Sequence, residues 1–370
     1  MKIALITFSR DNINYGTVLQ AFAMEKILSR YGEVETINYF YPLLQYRLIP
    51  IRFEPSIRGI QMMIHDILRF KDRNKVIKKL KKFIEINLNP SNLVTRQDIQ
   101  NGAINNFDVY VCGSDQIWNP NAVSKDGNLD PIYFLNFVNK PAKKISYGSS
   151  MGGYRFRDSE KAKIKNLLKD FTTISVRESD DQKMLSQLLE REVFHVLDPT
   201  LLLSKEEWLE ALKIDKNYRS QPENYILVYG IVKNPLLNKV VKSVVKRFKK
   251  KIIIIDKAFK PLTKADLHIR DAGPIEFIEL FANASLVITN SFHGVCFSIN
   301  FKKPFMVVHP MSGGNRIESL LNLFGLQSRF INDEKDIYKL SIGFDYGFLE
   351  KQFQDERVKS ISILSSSLVS

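Results

Sequence analysis

The sequence predicts an α/β protein with two domains, each built on a parallel β-sheet. Three observations lead to this prediction. Short apolar runs of strand length alternate with helical segments in the first half of the chain, and the alternation restarts in the second half. Between the halves lies a polar segment with a proline, residues 213–224, which is typical of a linker. The length of 370 residues fits two domains of ordinary size.

The first half opens with a strand, a helix and a second strand. The apolar run 2–8 precedes a polar loop and is typical of a buried parallel strand. In the next segment an apolar stripe recurs at helical spacing, and Gly32 is suited to end that helix. Residues 34–39 are strand-like and complete a βαβ unit. Further strands are predicted at 108–113, 143–150 and 173–178, with helical segments at 57–88, near 158–170 and at 180–190.

The second half repeats this order. Strands are predicted at 225–231, 251–256, 286–291 and 304–309, with helices at 233–250, 276–284, 295–301 and 316–325. We therefore predict two Rossmann-like domains that face a cleft, followed by a terminal helix. The predicted boundaries are 1–212 for the N-terminal domain, 213–224 for the linker, 225–346 for the C-terminal domain and 347–370 for the C-terminal helix.

The chain is basic, with a net charge of +14 and a sequence pI of about 9.5, so it is expected to attract anions. Residues 69–82 and 239–251 mix basic and apolar residues at helical spacing. Such a pattern is typical of a solvated helix face, and contact with an anionic membrane or with nucleic acid is the alternative. Because no RNA-binding, helix-turn-helix or zinc-finger motif accompanies them, we expect no nucleic-acid partner.

Cysteine and histidine usage points to a reducing compartment. Cys112 and Cys296 lie in separate apolar runs, as expected of buried thiols. The five histidines lack metal-ligand spacing, so no metal is expected. The sequence also lacks a secretory core and a membrane-spanning run. We expect a cytoplasmic protein, with peripheral membrane contact as an addition.

Ligands in open parallel sheets bind at the carboxyl ends of the strands, so the loops there are the candidate sites. The first loop, 9–17, contains Asn14, Tyr15 and Gly16 and leads into a helix N-terminus, which suits an anion. An ordinary βα turn is the alternative interpretation.

The second loop, 112–120, carries Ser114, Asp115, Gln116 and Trp118. An aromatic ring beside a carboxylate suits a sugar, because the ring can pack on the C–H face of a pyranose. The alternative is a side-chain-stabilised turn next to a buried tryptophan.

Two other strand ends carry charged or titratable groups. Arg177 ends a predicted strand and can grip a phosphate or a carboxylate, or else form a surface ion pair with Glu178. His293 lies where a strand gives way to a helix that Ser291 or Asn290 can cap.

A third loop, 311–321, carries Gly313 and Gly314 before Arg316 at a helix start. Backbone N–H groups and a guanidinium there form a candidate anion seat, and a flexible loop with an exposed arginine is the alternative.

Several segments occur in a characteristic order: NYGTVLQAFAM, GSDQIWN, YFLNFV with KKISYGSSMG, ISVRESD, VLDPTLLL and ITNSFHGVCFSINFKKPF. This ordered set resembles the polysaccharide pyruvyl transferases, from near residue 3 to about residue 330. The resemblance implies the fold of GT-B glycosyltransferases, with two Rossmann-like domains.

The resemblance also implies a reaction. The donor is phosphoenolpyruvate, the acceptor is a pair of sugar hydroxyls on a surface polysaccharide or its lipid-linked precursor, and the product is a cyclic pyruvate ketal. No cofactor is implied beyond phosphoenolpyruvate as co-substrate. The candidate catalytic residues are His293, as general acid, and Asp115, as base. The candidate donor-binding residues are Arg177, Arg316, Ser291, Gly313 and Gly314; the candidate acceptor-binding residues are Asn14, Tyr15, Gly16, Ser114, Gln116 and Trp118.

The chain departs from the family pattern at one position. Relatives carry Arg-Leu-His where this chain has Ser291, Phe292 and His293, so the histidine carries over and the arginine does not. Arg177 matches the arginine of the family's VRE-like segment. We predict that Arg316, after the next strand, supplies the missing guanidinium.

Two other functions stay open. A GT-B glycosyltransferase would bind a nucleotide sugar in the C-terminal half, because one fold serves several reactions. A basic nucleic-acid-binding module would bind with a steep salt dependence and no turnover.

Overall fold

The structure is a computed structural model that describes residues 1–9, 13–40, 46–124, 126–139, 141–215, 224–230, 234–310, 314–339 and 346–369. Its strands, in chain order, are β1 (Lys2–Ile6), β2 (Glu33–Thr36), β3 (Val109–Cys112), β4 (Lys143–Ser146), β5 (Ser175–Val176), β6 (Phe194–His195), β7 (Ile226–Tyr229), β8 (Ile252–Ile255), β9 (Leu267–Ile269), β10 (Leu286–Thr289), β11 (Phe305–Val308) and β12 (Phe330–Ile331).

The α-helices alternate with these strands. They are α1 (Tyr15–Leu28), α2 (Ile57–Leu68), α3 (Phe70–Asn87), α4 (Arg96–Gln100), α5 (Pro120–Val123), α6 (Asp158–Leu168), α7 (Ser179–Leu189), α8 (Lys205–Ala211), α9 (Pro235–Phe248), α10 (Pro274–Asn283), α11 (Phe292–Asn300), α12 (Asn315–Leu323) and α13 (Gly347–Val369). The helical segment predicted at 57–88 is thus two helices, which meet at Arg69.

The chain forms two compact units. Unit 1 comprises Met1–Leu48, Ile84–Leu202 and Phe353–Ser370, and unit 2 comprises Ile49–Phe83 and Leu203–Gln352. The division differs from the predicted boundaries, because α2 and most of α3 belong to unit 2 and the end of α13 belongs to unit 1. Of the predicted linker, residues 216–223 lie outside the described residues.

Side-chain contacts explain both differences. In unit 2, Lys75 and Lys79 of α3 bond to the side chain and the carbonyl of Asp271, at 3.0 and 2.9 Å. In unit 1, the Ser360 hydroxyl of α13 accepts a hydrogen bond from the Leu197 N–H at 3.0 Å. These partners are distant in sequence, so the pattern of apolar residues could not reveal them.

Unit 1 contains a parallel sheet in the order β2-β1-β3-β4, and β5 pairs with β6 beside it. The residues of β3 are buried and apolar, as expected of a strand covered on both faces. The chain leaves β1 toward β2 and returns to β3 on the other side. The loops after β1 and β3 therefore flank a switch point, where such sheets bind ligands.

Unit 2 contains a parallel sheet in the order β12-β11-β10-β7-β8-β9. Its strand β8 consists of four isoleucines, all buried. The chain leaves β7 toward β8 and later returns to β10 on the other side, which makes β7 and β10 the second switch point. The predicted α/β class, with parallel sheets and a C-terminal helix, is confirmed.

Candidate functional site

The loops at the switch point of unit 1 are joined by hydrogen bonds. After β3 the chain turns at Asp115, whose φ of 69° lies in the left-handed region. One Asp115 carboxylate oxygen accepts from the Thr17 hydroxyl at 2.8 Å, and the other accepts from the Gln116 N–H at 2.9 Å. The Thr7 hydroxyl donates to the Ser114 carbonyl at 2.9 Å. The carboxylate is thus held against the first turn of α1.

The start of α1 is fixed in the same way. Asn14 caps the helix and accepts a hydrogen bond from the Gly16 N–H at 3.1 Å, which agrees with the predicted βα turn. The Gln20 side-chain amide donates to the Thr7 hydroxyl and to the Phe8 carbonyl, both at 3.0 Å. Tyr15 is buried, and Asn14 is half-buried.

Arg177 lies inside unit 1. Its guanidinium donates to Asp198 at 2.7 Å and to Glu178 at 3.1 Å, and its side chain is 2% exposed. Burial works to lower the pKa of Arg177, but the carboxylates of Glu178, Asp198 and Asp115 raise it, so the group stays charged. The structure therefore gives Arg177 the role of holding loops together, in place of the donor contact predicted from the sequence.

Ser114 joins the same cluster, because its hydroxyl donates to Asp198 at 3.2 Å. Asp198 also accepts from the N–H and the hydroxyl of Thr200, at 2.9 and 2.6 Å. Asp198 belongs to the segment VLDPTLLL, but the sequence analysis did not single it out. An aspartate after the mainly apolar run 193–197 and before a proline was the available signal.

Trp118 is a correction to the predicted acceptor site. The indole is fully buried, stacks on Phe134 at a centroid distance of 5.2 Å, and donates to the Tyr133 carbonyl at 2.9 Å. It cannot offer a ring face to a sugar in this conformation. The alternative interpretation, a turn beside a buried tryptophan, describes this loop. Gln116 is half-buried and accepts from the Asn119 amide at 2.9 Å.

The switch point of unit 2 is built around the start of α11. Ser291 is the N-cap residue, and its hydroxyl accepts from the Gly294 N–H at 3.5 Å. The Thr289 hydroxyl accepts from the Ser291 N–H at 3.0 Å and donates to the Tyr229 carbonyl at 2.7 Å. A Cβ added at Gly294 would lie 2.3 Å from that hydroxyl, so the close approach of helix and strand requires glycine.

His293 and Arg316 lie on the same edge of this sheet, because they follow the neighbouring strands β10 and β11. The His293 ring meets Phe292 edge-on at 5.3 Å, and the Arg316 guanidinium carbon is 5.8 Å from the centroid of the same ring. His293 is 5% exposed and Arg316 is half-buried. One aromatic side chain therefore brings together the histidine and the arginine that the sequence analysis connected.

Three helices of unit 2 begin at this edge, because α9, α11 and α12 follow the adjacent strands β7, β10 and β11. Asn234, the N-cap of α9, donates to the His309 carbonyl at 2.7 Å, which links the loops after β7 and β11. A helix N-terminus carries a partial positive charge and unpaired N–H groups. The edge is therefore suited to an anion.

Gly314 directly precedes α12 and lies close to His309, since a Cβ there would be 3.5 Å from the imidazole. The His309 ring in turn lies 3.8 Å from the Glu318 carboxylate. Gly313, also predicted to bind the donor, lies outside the described residues. Asn234 and His309 were not singled out in the sequence analysis. Only the order of strands in the sheet shows that these two loop residues lie at this edge.

The described residues contain no cluster of three or more His, Cys, Asp or Glu placed to hold a metal ion. Within the same ranges, every helix is too short or too polar to cross a membrane.

The fold is similar to solved structures of sugar-nucleotide epimerases. UDP-GlcNAc 2-epimerase from Methanocaldococcus jannaschii matches with a TM-score of 0.58 at 14% identity, over 99% of this chain and 100% of that chain. The enzyme from Neisseria meningitidis, solved with UDP-GlcNAc, matches with a TM-score of 0.52 at 12% identity, over 100% of both chains. These likenesses define the class: an α/β protein of the GT-B type.

A model of polysaccharide pyruvyl transferases matches residues 14–309. The chain therefore belongs to the polysaccharide pyruvyl transferase family, and membership implies a transferase. The predicted resemblance is confirmed at the level of the family. No curated protein sequence matches the chain.

Proposed function

We propose that this protein transfers a pyruvyl group from phosphoenolpyruvate to two hydroxyls of one sugar, forming a cyclic ketal in a surface polysaccharide or its lipid-linked precursor. The observation that carries the proposal is the edge of the unit 2 sheet, where His293 and Arg316 pack on Phe292 among three helix starts. The family supports the reaction class, and this edge is our candidate for the place where the donor binds.

The donor brings close to three negative charges, from a phosphate and a carboxylate. A guanidinium binds such groups in a bidentate manner, and helix N-termini add N–H donors. Arg316 lies beyond the family match at residue 309, so its assignment rests on geometry. We propose that Arg316 takes the place of the arginine that relatives carry at the position of Ser291.

The chemistry needs an acid, and His293 is our candidate. A proton from the imidazolium goes to the methylene carbon of phosphoenolpyruvate, and C2 becomes electron-poor. A sugar hydroxyl then attacks C2 and loses its proton. Phosphate leaves with the electrons of the C–O bond. A second hydroxyl then attacks C2 and closes the ketal, and its proton returns the imidazole to the imidazolium. Histidine suits the first step because its reference pKa of about 6.5 lies near neutral pH.

On the acceptor side, Asp115 is the candidate base. Asn14, Tyr15, Gly16, Gln116 and Ser114 stay as candidate acceptor contacts, and Asn14 and Gln116 are the half-buried members of this set. Trp118 is left out because its ring stacks on Phe134 and its N–H bonds to the Tyr133 carbonyl, and Arg177 because its guanidinium bonds to Asp198 and Glu178. The proposed reaction uses no cofactor besides phosphoenolpyruvate as co-substrate. We also propose that the enzyme acts in the cytoplasm, with peripheral contact to the membrane.

The test is phosphate release from phosphoenolpyruvate in the presence of a sugar acceptor. We expect His293→Ala to lose at least about a hundredfold in kcat, the usual size of a general-acid contribution, while melting like the parent. His65→Ala, a change of an exposed histidine, is the matched control and should keep parental kcat. A folded His293→Ala protein with parental kcat would contradict the proposal.

A second candidate is a transferase that uses a nucleotide sugar. The whole-chain likeness to UDP-GlcNAc 2-epimerases favours it, because the same helix starts could hold a diphosphate. A thermal-shift panel separates the candidates, since a ligand raises Tm only if it binds the folded state. Stabilisation by phosphoenolpyruvate supports the first. Stabilisation by UDP-GlcNAc alone supports the second, and stabilisation by oligonucleotides alone would contradict both.

A further inference from the structure

Helix α2 presents its apolar face to solvent. Ile57, Ile60, Ile64, Ile67 and Leu68 recur at helical spacing along one stripe, and they are 80, 47, 50, 50 and 56% exposed. Surface helices of soluble proteins normally bury such a stripe. The stripe therefore needs a cover that the chain itself does not provide among its described residues.

The opposite side of α2 is fixed inward by charge. Asp66 is fully buried and accepts two hydrogen bonds from the Arg52 guanidinium, at 2.7 and 2.9 Å, and one from Arg69 at 3.2 Å. Gly59, on the same side, packs so closely on the Glu54 carbonyl that a Cβ would lie 2.1 Å from it. Rotating α2 to bury the stripe would break these ion pairs and separate Gly59 from the Glu54 carbonyl. These contacts therefore fix the orientation of α2.

The segment before α2 and the first residue of α3 add further exposed apolar side chains. Ile49, Ile51, Phe53 and Phe70 are 45, 39, 58 and 44% exposed. The Arg52 N–H bonds to Asp66 at 3.2 Å, and Arg73 bonds to the Pro50 carbonyl at 2.9 Å, so this segment is tied to α2 and α3. Nine exposed large apolar side chains thus lie within residues 49–70, which we call the α2 surface. Concentrated apolar exposure of this kind marks an interaction site.

The charge around the α2 surface is strongly positive. Residues 49–82 contain ten Lys and Arg against three Asp and Glu. On α3, Lys71, Lys78 and Lys82 are exposed and recur at helical spacing on one face. A second copy of this chain would bring the same positive charge against itself. A partner with an anionic surface and an apolar interior would both cover the apolar stripe and attract the positive charge.

We propose that the α2 surface docks on a lipid bilayer that contains anionic headgroups. Helix α2 lies in the interface with its isoleucines below the headgroups, and the lysines of α3 contact the phosphates. The proposal uses geometry outside the candidate active site and holds whichever donor the enzyme uses. It moves the membrane contact from the basic, amphipathic stretches 69–82 and 239–251 predicted from the sequence to a defined apolar face at residues 49–70.

The test is co-sedimentation of the full chain with vesicles of phosphatidylcholine, with and without phosphatidylglycerol. We expect binding to the anionic vesicles only. The triple variant Ile60→Ser, Ile64→Ser, Ile67→Ser should bind at least about tenfold more weakly, because three buried aliphatic contacts are lost. The matched control, Leu93→Ser, Val358→Ser, Val369→Ser, removes side chains that are 52, 65 and 80% exposed elsewhere and should bind like the parent.

A second measurement does not depend on the triple variant folding. Trp118 and Trp208 are fully buried, so a tryptophan introduced by Phe53→Trp would report on the α2 surface. We expect its emission to shift to shorter wavelength when anionic vesicles are added. No shift, or no binding by the parent, overturns the proposal. So does a parental dimer in light scattering that the triple variant converts to a monomer, because the cover is then a second copy.

Discussion

The two switch points use similar loops for different purposes. In unit 1 the charged residues after the strands are buried against one another, with Arg177 between Glu178 and Asp198 and with Asp115 held by Thr17. In unit 2 the loops end in helix starts, with His293 and a half-buried Arg316 against Phe292. The first arrangement pairs an arginine with neighbouring carboxylates inside the unit, and the second places an arginine and a histidine at a sheet edge beside helix starts.

The contrast indicates that some of the family's characteristic segments stabilise the fold, whereas others form the candidate active site. The unit 1 segments share buried polar contacts that would be costly to break. These contacts alone explain why charged and polar residues occupy those positions. The unit 2 segments place a titratable group and a cation at a sheet edge where anions bind. Substitutions in the two units should therefore fail in different ways, and each prediction below tests that difference.

Asp198→Ala should cause the largest loss of stability. It removes a carboxylate that bonds to the buried Arg177 guanidinium, and removing one member of a buried pair costs about 3–5 kcal/mol. We expect a large fall in the urea midpoint of the transition that reports on unit 1. Asp158→Ala, at a carboxylate that is 95% exposed, is the control and should leave the urea midpoint close to that of the parent.

A parental urea midpoint in Asp198→Ala would contradict the view that unit 1 uses these charges for architecture.

Arg316→Ala should leave stability near the parent and raise the KM for phosphoenolpyruvate. Loss of a charged contact of about 2 kcal/mol corresponds to roughly 30-fold in KM. Adding Ser291→Arg to this variant should restore part of the affinity, because it returns the arginine to the position that relatives use. Steady-state phosphate release gives both values, and Arg58→Ala, at an exposed arginine, is the control.

Unchanged KM and kcat in Arg316→Ala would contradict a donor-binding role for Arg316, and with it the functional difference between the sheet edges of unit 1 and unit 2.

Thr17→Val should cost about 1 kcal/mol of stability, the usual value of one buried hydrogen bond, since the hydroxyl donates to Asp115 at 2.8 Å. If Asp115 is also the base, kcat should fall further than stability alone explains. Thermal melting and kcat measured on one preparation separate the two effects. Equal kcat in parent and variant would restrict Asp115 to a structural role.

A pH dependence in unit 1 is the last expected effect. Burial and the neighbouring Glu178 carboxylate raise the pKa of Asp181 to about 7, against the opposing effect of Arg155. The folded protein therefore holds a proton that the unfolded chain releases near pH 4, and this contribution to stability is lost as pH rises through about 7. The Tm of the parent should fall relative to that of Asp181→Asn between about pH 5 and pH 8. Parallel Tm curves would show that Asp181 does not titrate in this range.

The sequence predicted the sheets well because their strands are continuous apolar runs, such as the four isoleucines of β8. It also placed His293 at a helix start, because a strand followed by polar residues and a helix is a local pattern. Trp118 and Arg177 were predicted as ligand contacts and are enclosed in unit 1. Their burial depends on Phe134 and Asp198, which come from other segments, and no local pattern reports such packing.

The exposed stripe of α2 shows that exposure, like burial, could not be predicted from the local sequence pattern. The spacing of its isoleucines predicts an amphipathic helix, but not which face turns inward. Asp66 and its three arginines decide that, and all three arginines, Arg52, Arg69 and Arg73, lie outside the helix.

Helix α13 has a consequence for how the protein is made. Its Arg357 donates to the Leu201 carbonyl at 2.8 Å and its Ser360 bonds to Leu197, so residues near the end of the sequence complete unit 1. A ribosome releases all of unit 2 before it releases these residues. Unit 1 must then wait, with a gap in its packing, while unit 2 is synthesised and folds. Nascent chains that stop after unit 2 should consequently be protease-sensitive in unit 1 and bind chaperones that recognise exposed apolar surface.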